Sequence, residues 1–302
     1  MVTQLSVPGR QVTTVLSVAS GKGGTGKTTV AVNLAIVMSE TMAVQLVDAD
    51  VEEPNAHIFL KPTLTSSETV SVSVPEIDEA LCTHCGKCSE ACAFNAIMTT
   101  AKTALVFEEL CHGCGTCRLV CPSGAIRERQ RPVGAVEAGH SRDISFVQGR
   151  LKPGEVLAPA VVRAVKRQVD KDSLVFIDCS PGTSCPVVQA VRKTDACLLV
   201  TEPTPFGLHD LKLAVEMLEK LQVPAAVILN RADVGDGRLE AYCQEQGLPV
   251  LGRLPFSRQV ATSYARGVPI VDESQTWRDI YQNLAASVSG WATRVSRLRR
   301  QD

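Results

Sequence analysis

Gly21-Lys22-Gly23-Gly24-Thr25-Gly26-Lys27-Thr28-Thr29 follows an apolar run, Thr14 to Ala19, and opens a segment with helical spacing, Lys27 to Met38. A glycine-rich turn between a strand and a helix is the setting a phosphate-binding loop requires. Glycines let successive backbone N–H groups turn toward phosphate oxygens, with no Cβ in the way. Lys27 adds charge at the β and γ phosphates, and the Thr28 hydroxyl is placed to reach the magnesium ion that bridges them.

Outward from this loop, short apolar runs alternate with amphipathic stretches, as strands and helices do in a parallel α/β sheet. Strands are expected at Thr14 to Ala19, Val44 to Val47, Leu174 to Ile177, Cys197 to Thr201, Ala225 to Leu229 and Val250 to Gly252. Helices are expected at Lys27 to Met38, Leu208 to Leu221 and Arg238 to Gln246. Between Ser71 and about Gln130 the alternation stops and an internal repeat takes over. Its copies are LCTHCGKCSEACAFNAI (Leu81 to Ile97) and LCHGCGTCRLVCPSGAI (Leu110 to Ile126). Because nucleotide motifs lie on both sides, the repeat reads as an insert. The expected layout is a discontinuous P-loop ATPase domain, 1–74 and 131–302, with an inserted module at 75–130.

Cys82, Cys85, Cys88 and Cys92, then Cys111, Cys114, Cys117 and Cys121 followed by Pro122, give the bacterial ferredoxin spacing twice. In that pattern three thiolates of one run and the fourth of the other hold each cluster. One 4Fe-4S cluster is therefore assigned to Cys82, Cys85, Cys88 and Cys121, and the second to Cys111, Cys114, Cys117 and Cys92. Zinc sites use two ligand pairs separated by a longer gap, which fits two fused four-cysteine runs poorly. Ala93 stands where a proline would follow the fourth cysteine of the first run. That substitution bears on solvent access to the cluster nearest Cys92 rather than on ligation. His84 and His112 read as loop residues. Cys179 and Cys185 flank a second loop and are candidates for a redox-sensitive thiol, weighed against ordinary buried cysteine. Cys197 and Cys243 read as structural.

Lys22, a second lysine early in the KGGTGKTT string, resembles the variant loop of the MinD, ParA and nitrogenase iron-protein families. That resemblance implies a lysine reaching across a homodimer to the partner's nucleotide, and hence an ATP-dependent sandwich dimer. Asp48 and Asp50 in LVDADVEEPNAH resemble the acidic switch motif of those families. One carboxylate, Asp48, would belong to the magnesium shell, and the other, Asp50, would orient the attacking water. The plainer alternative is that one or both cap the following loop. Asp178 in FIDCSPGTSCPVV resembles a Walker B aspartate, reaching magnesium through water. Asn230 in VILNRAD and Pro255 in LPFSRQVATSYARG match places where the family grips adenine.

The whole chain resembles MinD-superfamily ATPases with an inserted ferredoxin domain, related to Mrp-type proteins, with motifs matching from Lys22 through Arg266. The resemblance implies ATP, Mg2+ and two 4Fe-4S clusters as cofactors. It also implies a slow, partner-stimulated ATPase and a redox or complex-forming protein partner. Three functions follow from it: ATP-gated electron transfer, iron-sulfur cluster assembly or delivery, and MinD/ParA-like positioning. Carriers of the Mrp type use a late C-x-x-C pair, and none follows Cys121.

The composition is compatible with this. In 302 residues with 45% hydrophobic content, 31 basic residues balance 32 acidic ones, so nucleic acid is not an expected partner. Met1 to Val12 lacks the apolar core of a signal peptide, no run has membrane-spanning length, and twelve cysteines in a reducing compartment favour metal ligation, so a cytoplasmic location is expected. Trp277, Ile280, Tyr281, Leu284, Val288, Trp291, Val295 and Leu298 recur at helical spacing. This tail is expected to pack on the body. Arg294, Arg297, Arg299 and Arg300 give it a basic end that could alternatively meet a membrane.

Overall fold

A computed structural model describes residues 14–298. Met1 to Val12, Arg299 and Arg300, together with the side chain of Leu298, lie outside the described residues.

In chain order, β1 (Thr14–Ala19) leads to α1 (Lys27–Ser39), β2 (Val44–Asp48) and the short α2 (Ala56–Leu60). The chain then leaves through β3 (Thr63–Ile77) and forms α3 (Lys87–Glu90), the hairpin β4 (Ile97–Thr99) and β5 (Ala104–Val106), and α4 (Thr116–Leu119). It returns through β6 (Ile126–Ser141) and β7 (Ile144–Leu151). The rest alternates: α5 (Ala158–Lys166), β8 (Leu174–Asp178), α6 (Cys185–Val191), β9 (Ala196–Thr201), α7 (Pro205–Lys220) and β10 (Ala225–Asn230). The chain ends with α8 (Arg238–Glu245), β11 (Val250–Leu254), α9 (Arg258–Ala265), α10 (Ile270–Glu273) and α11 (Gln275–Leu298).

One sheet has the order β11-β10-β9-β1-β8-β2-β7-β6-β3. It is parallel from β11 to β7, and only β6 and β3 run antiparallel to their neighbours. Strands such as LVFID and ACLLVT are apolar on both faces because helices cover both sides. Leu34, Phe146 and Trp291 belong to one core layer, with α1, α10 and α11. Val161, Val187, Leu211 and Cys243 belong to the other, with α5 to α8. The result is a three-layer α/β fold.

The expected strands and helices all fall on observed elements, with ends displaced by a few residues. α7 starts before its apolar periodicity does, because Thr204 caps it: the Gly207 N–H donates to Thr204 Oγ1 at 3.0 Å, and Pro205 fills the first turn. Trp277, Tyr281, Leu284, Val288, Trp291 and Val295 of α11 are buried in the layer containing α1, so the apolar stripe of the tail covers the core. Each such side chain contributes roughly 1.5–3 kcal/mol on burial. Among the described residues no helix is long and apolar enough to cross a membrane.

The strands leading into and out of the cysteine-rich segment were not legible beforehand. β3 and β6 pair from Thr63↔His140 to Ile77↔Ile126, passing through residues 75 and 130, where the sequence placed the edges of the insert. β6 pairs with β7 only from Gly134 to Ser141. Beyond Val133 the ladder is therefore a two-stranded ribbon, with the cysteine-rich segment at its far end.

Candidate functional site

The loop Gly21 to Thr29 leaves the carboxyl end of β1 and turns into α1. Gly24 (φ +77°) and Gly26 (φ +94°) lie in the left-handed region, which a side chain disfavours. At Gly26 a Cβ would also sit 2.6 Å from the Asn230 amide nitrogen. Asn230 is thereby tied to the loop, its amide donating to the Thr25 carbonyl at 2.8 Å. A cavity of about 460 Å³ is lined by Gly23, Gly24, Gly26, Lys27, Thr28 and Thr29 on one side and by Asp50, Asn230 and Pro255 on the other. Gly21, Lys22, Thr25, Asp48 and Asp178 are not part of that lining.

Asp178 is fully buried, and the side-chain group beside its carboxylate is the Thr28 hydroxyl. Burial pushes its pKa up to about 7, while the neighbouring Thr28 hydroxyl and Lys27 ammonium pull the other way. A buried carboxylate beside the P-loop threonine hydroxyl is the donor set that a hard divalent cation takes. Asp48 differs. Its Oδ1 accepts from the Asp50 N–H at 3.1 Å, and its Oδ2 accepts from the N–H groups of Asn55 at 2.9 Å and Ala56 at 3.0 Å. Those bonds are the loop-capping alternative raised by the sequence. Burial, then the adjacent Asp178 charge, raises its pKa to about 8. Asp50 faces the cavity and accepts a hydrogen bond from Ser180 Oγ at 2.9 Å. Burial raises its pKa, offset by Ser180 and Lys27.

Lys22 is one-third exposed and lies 3.7 Å from Glu202 Oε2, while the other Glu202 oxygen lies 3.0 Å from Arg231. In this single chain the early lysine is thus held within its own protomer.

The cysteines gather in two places. Cys92, Cys111, Cys114 and Cys117 line one cavity, with Ser73 and Pro75 of β3. Cys82, Cys85, Cys88 and Cys121 line another, with Ile77 of β3 and Ile126 of β6. Three residues of one run thus meet the fourth of the other in each case. The halves match in backbone as well: the shared glycine of the repeat, Gly86 or Gly115, takes φ +80° or +74° and starts α3 or α4. Among the described residues, no three His, Cys, Asp or Glu side chains close on a point that a single ion would fill. His112 stacks on Phe94 at 3.7 Å and His84 pairs with Glu79 at 3.2 Å. Cys179 is buried, which raises its thiol pKa well above the usual range, so it is held as the thiol; Cys185 is exposed, and Cys197 and Cys243 are buried.

The family model described as CobQ/CobB/MinD/ParA nucleotide binding domain matches residues 16–270. The chain belongs to this family. Family membership makes the chain an ATP-binding P-loop ATPase. Among relatives, "Uncharacterized protein MJ0579" of Methanocaldococcus jannaschii is 28% identical over 261 residues, covering 84% of this chain and 90% of that protein. An iron-sulfur cluster carrier protein of Pyrococcus horikoshii is 26% identical over 277 residues, covering 85% and 78%. The fold is shared with the septum site-determining protein MinD of Pyrococcus horikoshii, solved with Mg-ADP, at TM-score 0.60 and 22% identity over 94% of this chain and 98% of that one.

Several residues of this family site had no sequence signal. Ser180 and Glu202 act through tertiary neighbours far away in the chain. Tyr264, Trp277 and Tyr281 also line the cavity. Trp277 and Tyr281 read only as parts of an amphipathic stripe, and nothing in that periodicity points to a ligand.

Proposed function

We propose that the chain couples ATP hydrolysis in a homodimer to electron transfer through two 4Fe-4S clusters carried on an inserted ferredoxin-like module. The observation that carries this reading is the sorting of eight cysteines into two four-cysteine cavities, at the end of a ribbon rooted in the sheet that bears the phosphate loop. Cys82, Cys85, Cys88 and Cys121 would hold one cluster, and Cys111, Cys114, Cys117 and Cys92 the other. Each cluster supplies a one-electron store.

At the nucleotide, loop amides from Gly21 to Thr29 and the Lys27 ammonium bind the phosphates. Thr28 and Asp178 would hold Mg2+, which offsets phosphate charge, with Asp48 adding its charge behind them. Asp50 orients the water that attacks the γ-phosphate, releasing ADP and phosphate. Asn230 and Pro255 flank the base. Lys22 leaves Glu202 to reach the partner protomer's nucleotide. Closure and reopening of the dimer move the ribbon and so gate contact with a redox protein partner in the cytoplasm.

The relatives named iron-sulfur cluster carriers favour a second reading, in which clusters are cargo. Anaerobic preparation with iron and sulfide analysis, reduction and electron paramagnetic resonance separates the two. About eight irons per chain, retained when an apo-ferredoxin acceptor is added, supports electron transfer. Transfer of iron to the acceptor supports carriage, and a chain that takes up no iron sinks both.

A further inference from the structure

β10 and β11 are parallel neighbours whose ends pair, Asn230 with Leu254, so the loops that follow them leave the same edge of the sheet side by side. Both loops line the nucleotide cavity, Asn230 and Arg231 from the first and Pro255, Phe256 and Ser257 from the second. The Asn230 amide donates to the Thr25 carbonyl at 2.8 Å, and its Oδ1 accepts the Arg231 N–H at 3.0 Å. A side-chain amide has two hydrogens and two lone pairs, so one of each is left for a ligand. A donor beside an acceptor matches N7 and the N6 amino group of adenine.

The second loop is a three-residue connection. β11 ends at Leu254 and α9 starts at Arg258, with Ser257 as its cap, the Gln259 N–H donating to Ser257 Oγ at 3.2 Å. Pro255 has no N–H to give. Phe256 therefore carries the first donor of the connection, and it gives it to Asp233 Oδ1 at 2.6 Å, a short bond to a carboxylate. The Phe256 ring is 51% exposed, which leaves a face on which a base can stack.

Asp233 is itself firmly placed, in a single 3-10 turn, Ala232–Val234. Before the turn, Arg231 takes φ +54°, a left-handed conformation that non-glycine residues rarely adopt, and its guanidinium lies 3.0 Å from Glu202 Oε1. After it, Gly235 packs so closely that a Cβ there would sit 2.5 Å from Pro203 Cβ. Strained backbone of this kind persists where its surroundings over-determine it, and it gathers at ligand sites. The turn is thus pinned on both sides, and its carboxylate in turn pins Phe256.

We propose that Asp233 is a positioning residue for the adenine base: by holding the Phe256 N–H it fixes the Pro255–Ser257 connection at the spacing from Asn230 that a purine needs. Asp233 does not line the cavity, so it acts through Phe256. The proposal rests on the reading that Asn230 and Pro255 flank the base, and it names the residue that sets their separation.

The test measures binding of Mg-ATP and of Mg-tripolyphosphate, which offers three phosphates without a nucleoside, to the full chain by isothermal titration calorimetry. Asp233→Ala should weaken ATP binding about fivefold or more and leave tripolyphosphate within about twofold of wild type. Asp233→Asn keeps the acceptor oxygen and should bind ATP as the wild type does. Asp233 is exposed, so neither substitution should unfold the chain, and a variant that had lost its structure would lose tripolyphosphate as well. Unchanged ATP binding in Asp233→Ala, or a loss shared equally by ATP and tripolyphosphate, overturns the proposal. A wild-type chain that binds ATP no more tightly than tripolyphosphate sinks the base placement and the proposal with it. The placement thus fails on the wild type, and the proposal alone fails on the variants.

Discussion

Ser180 Oγ donates to Asp50 Oδ1 at 2.9 Å, joining two loops that are 130 residues apart in sequence and that both border the phosphate site. The bond fixes one carboxylate oxygen of Asp50 and leaves the other for water. Ser180→Ala should lower kcat for ATP by about tenfold, the worth of one hydrogen bond to a charged group, with KM little changed. Asp50→Asn should cost about a hundredfold or more. Steady-state phosphate release measures both. A Ser180→Ala chain with wild-type kcat would show that Asp50 is positioned by something else.

Asp178 gives a pH dependence. Its folded pKa, raised from 3.8 to about 7, means that the ligand-free folded chain binds a proton more tightly than the unfolded chain does. Its stabilising share is full below pH about 4 and is lost as pH rises through about 7. Asp178→Asn should therefore flatten the fall of the melting temperature between pH about 4 and 7 in metal-free, nucleotide-free buffer. The same substitution should abolish the additional stability that Mg-ATP gives the wild type. Calorimetry across pH checks both effects.

The parallel strands and the phosphate loop were legible because each is a local signal: an apolar run, or glycines in fixed order. The grouping of the cysteines into two cavities was legible because the two runs repeat one spacing, three residues of each run meeting the fourth of the other. β3 and β6 were not. Val70, Val72 and Val74 alternate with serines, and seven residues from Thr63 to Thr69 are exposed, so the strand lacks the apolar run that marked its neighbours. The capping role of Asp48 could be raised from sequence but not decided, since its donors Asn55 and Ala56 become neighbours only when α2 folds back over the strand end.

Lys22 should matter to the dimer more than to the protomer. Lys22→Ala should leave ATP binding near wild type and remove the dependence of turnover on protein concentration. Glu202→Gln releases the 3.7 Å contact that holds Lys22 in its own chain, and should shift assembly to lower protein concentration. Analytical ultracentrifugation with a non-hydrolysable ATP analogue distinguishes the two.

Trp291 of α11 is 6% exposed in the layer that includes α1, whereas Phe206 at the start of α7 is 77% exposed. Trp291→Ala should cost about 3–5 kcal/mol, and Phe206→Ala less than about 0.5 kcal/mol. Urea unfolding compares them. A mild Trp291→Ala would mean that the tail is not part of the core.

The most direct test is a potentiometric titration of the anaerobically purified chain, read by electron paramagnetic resonance, with Mg-ADP and with a Mg-bound non-hydrolysable ATP analogue. The expected result is two four-iron signals, at least one of which changes potential between the two nucleotides. Two stable clusters whose potentials and line shapes ignore the nucleotide would contradict the coupling of ATP to electron transfer.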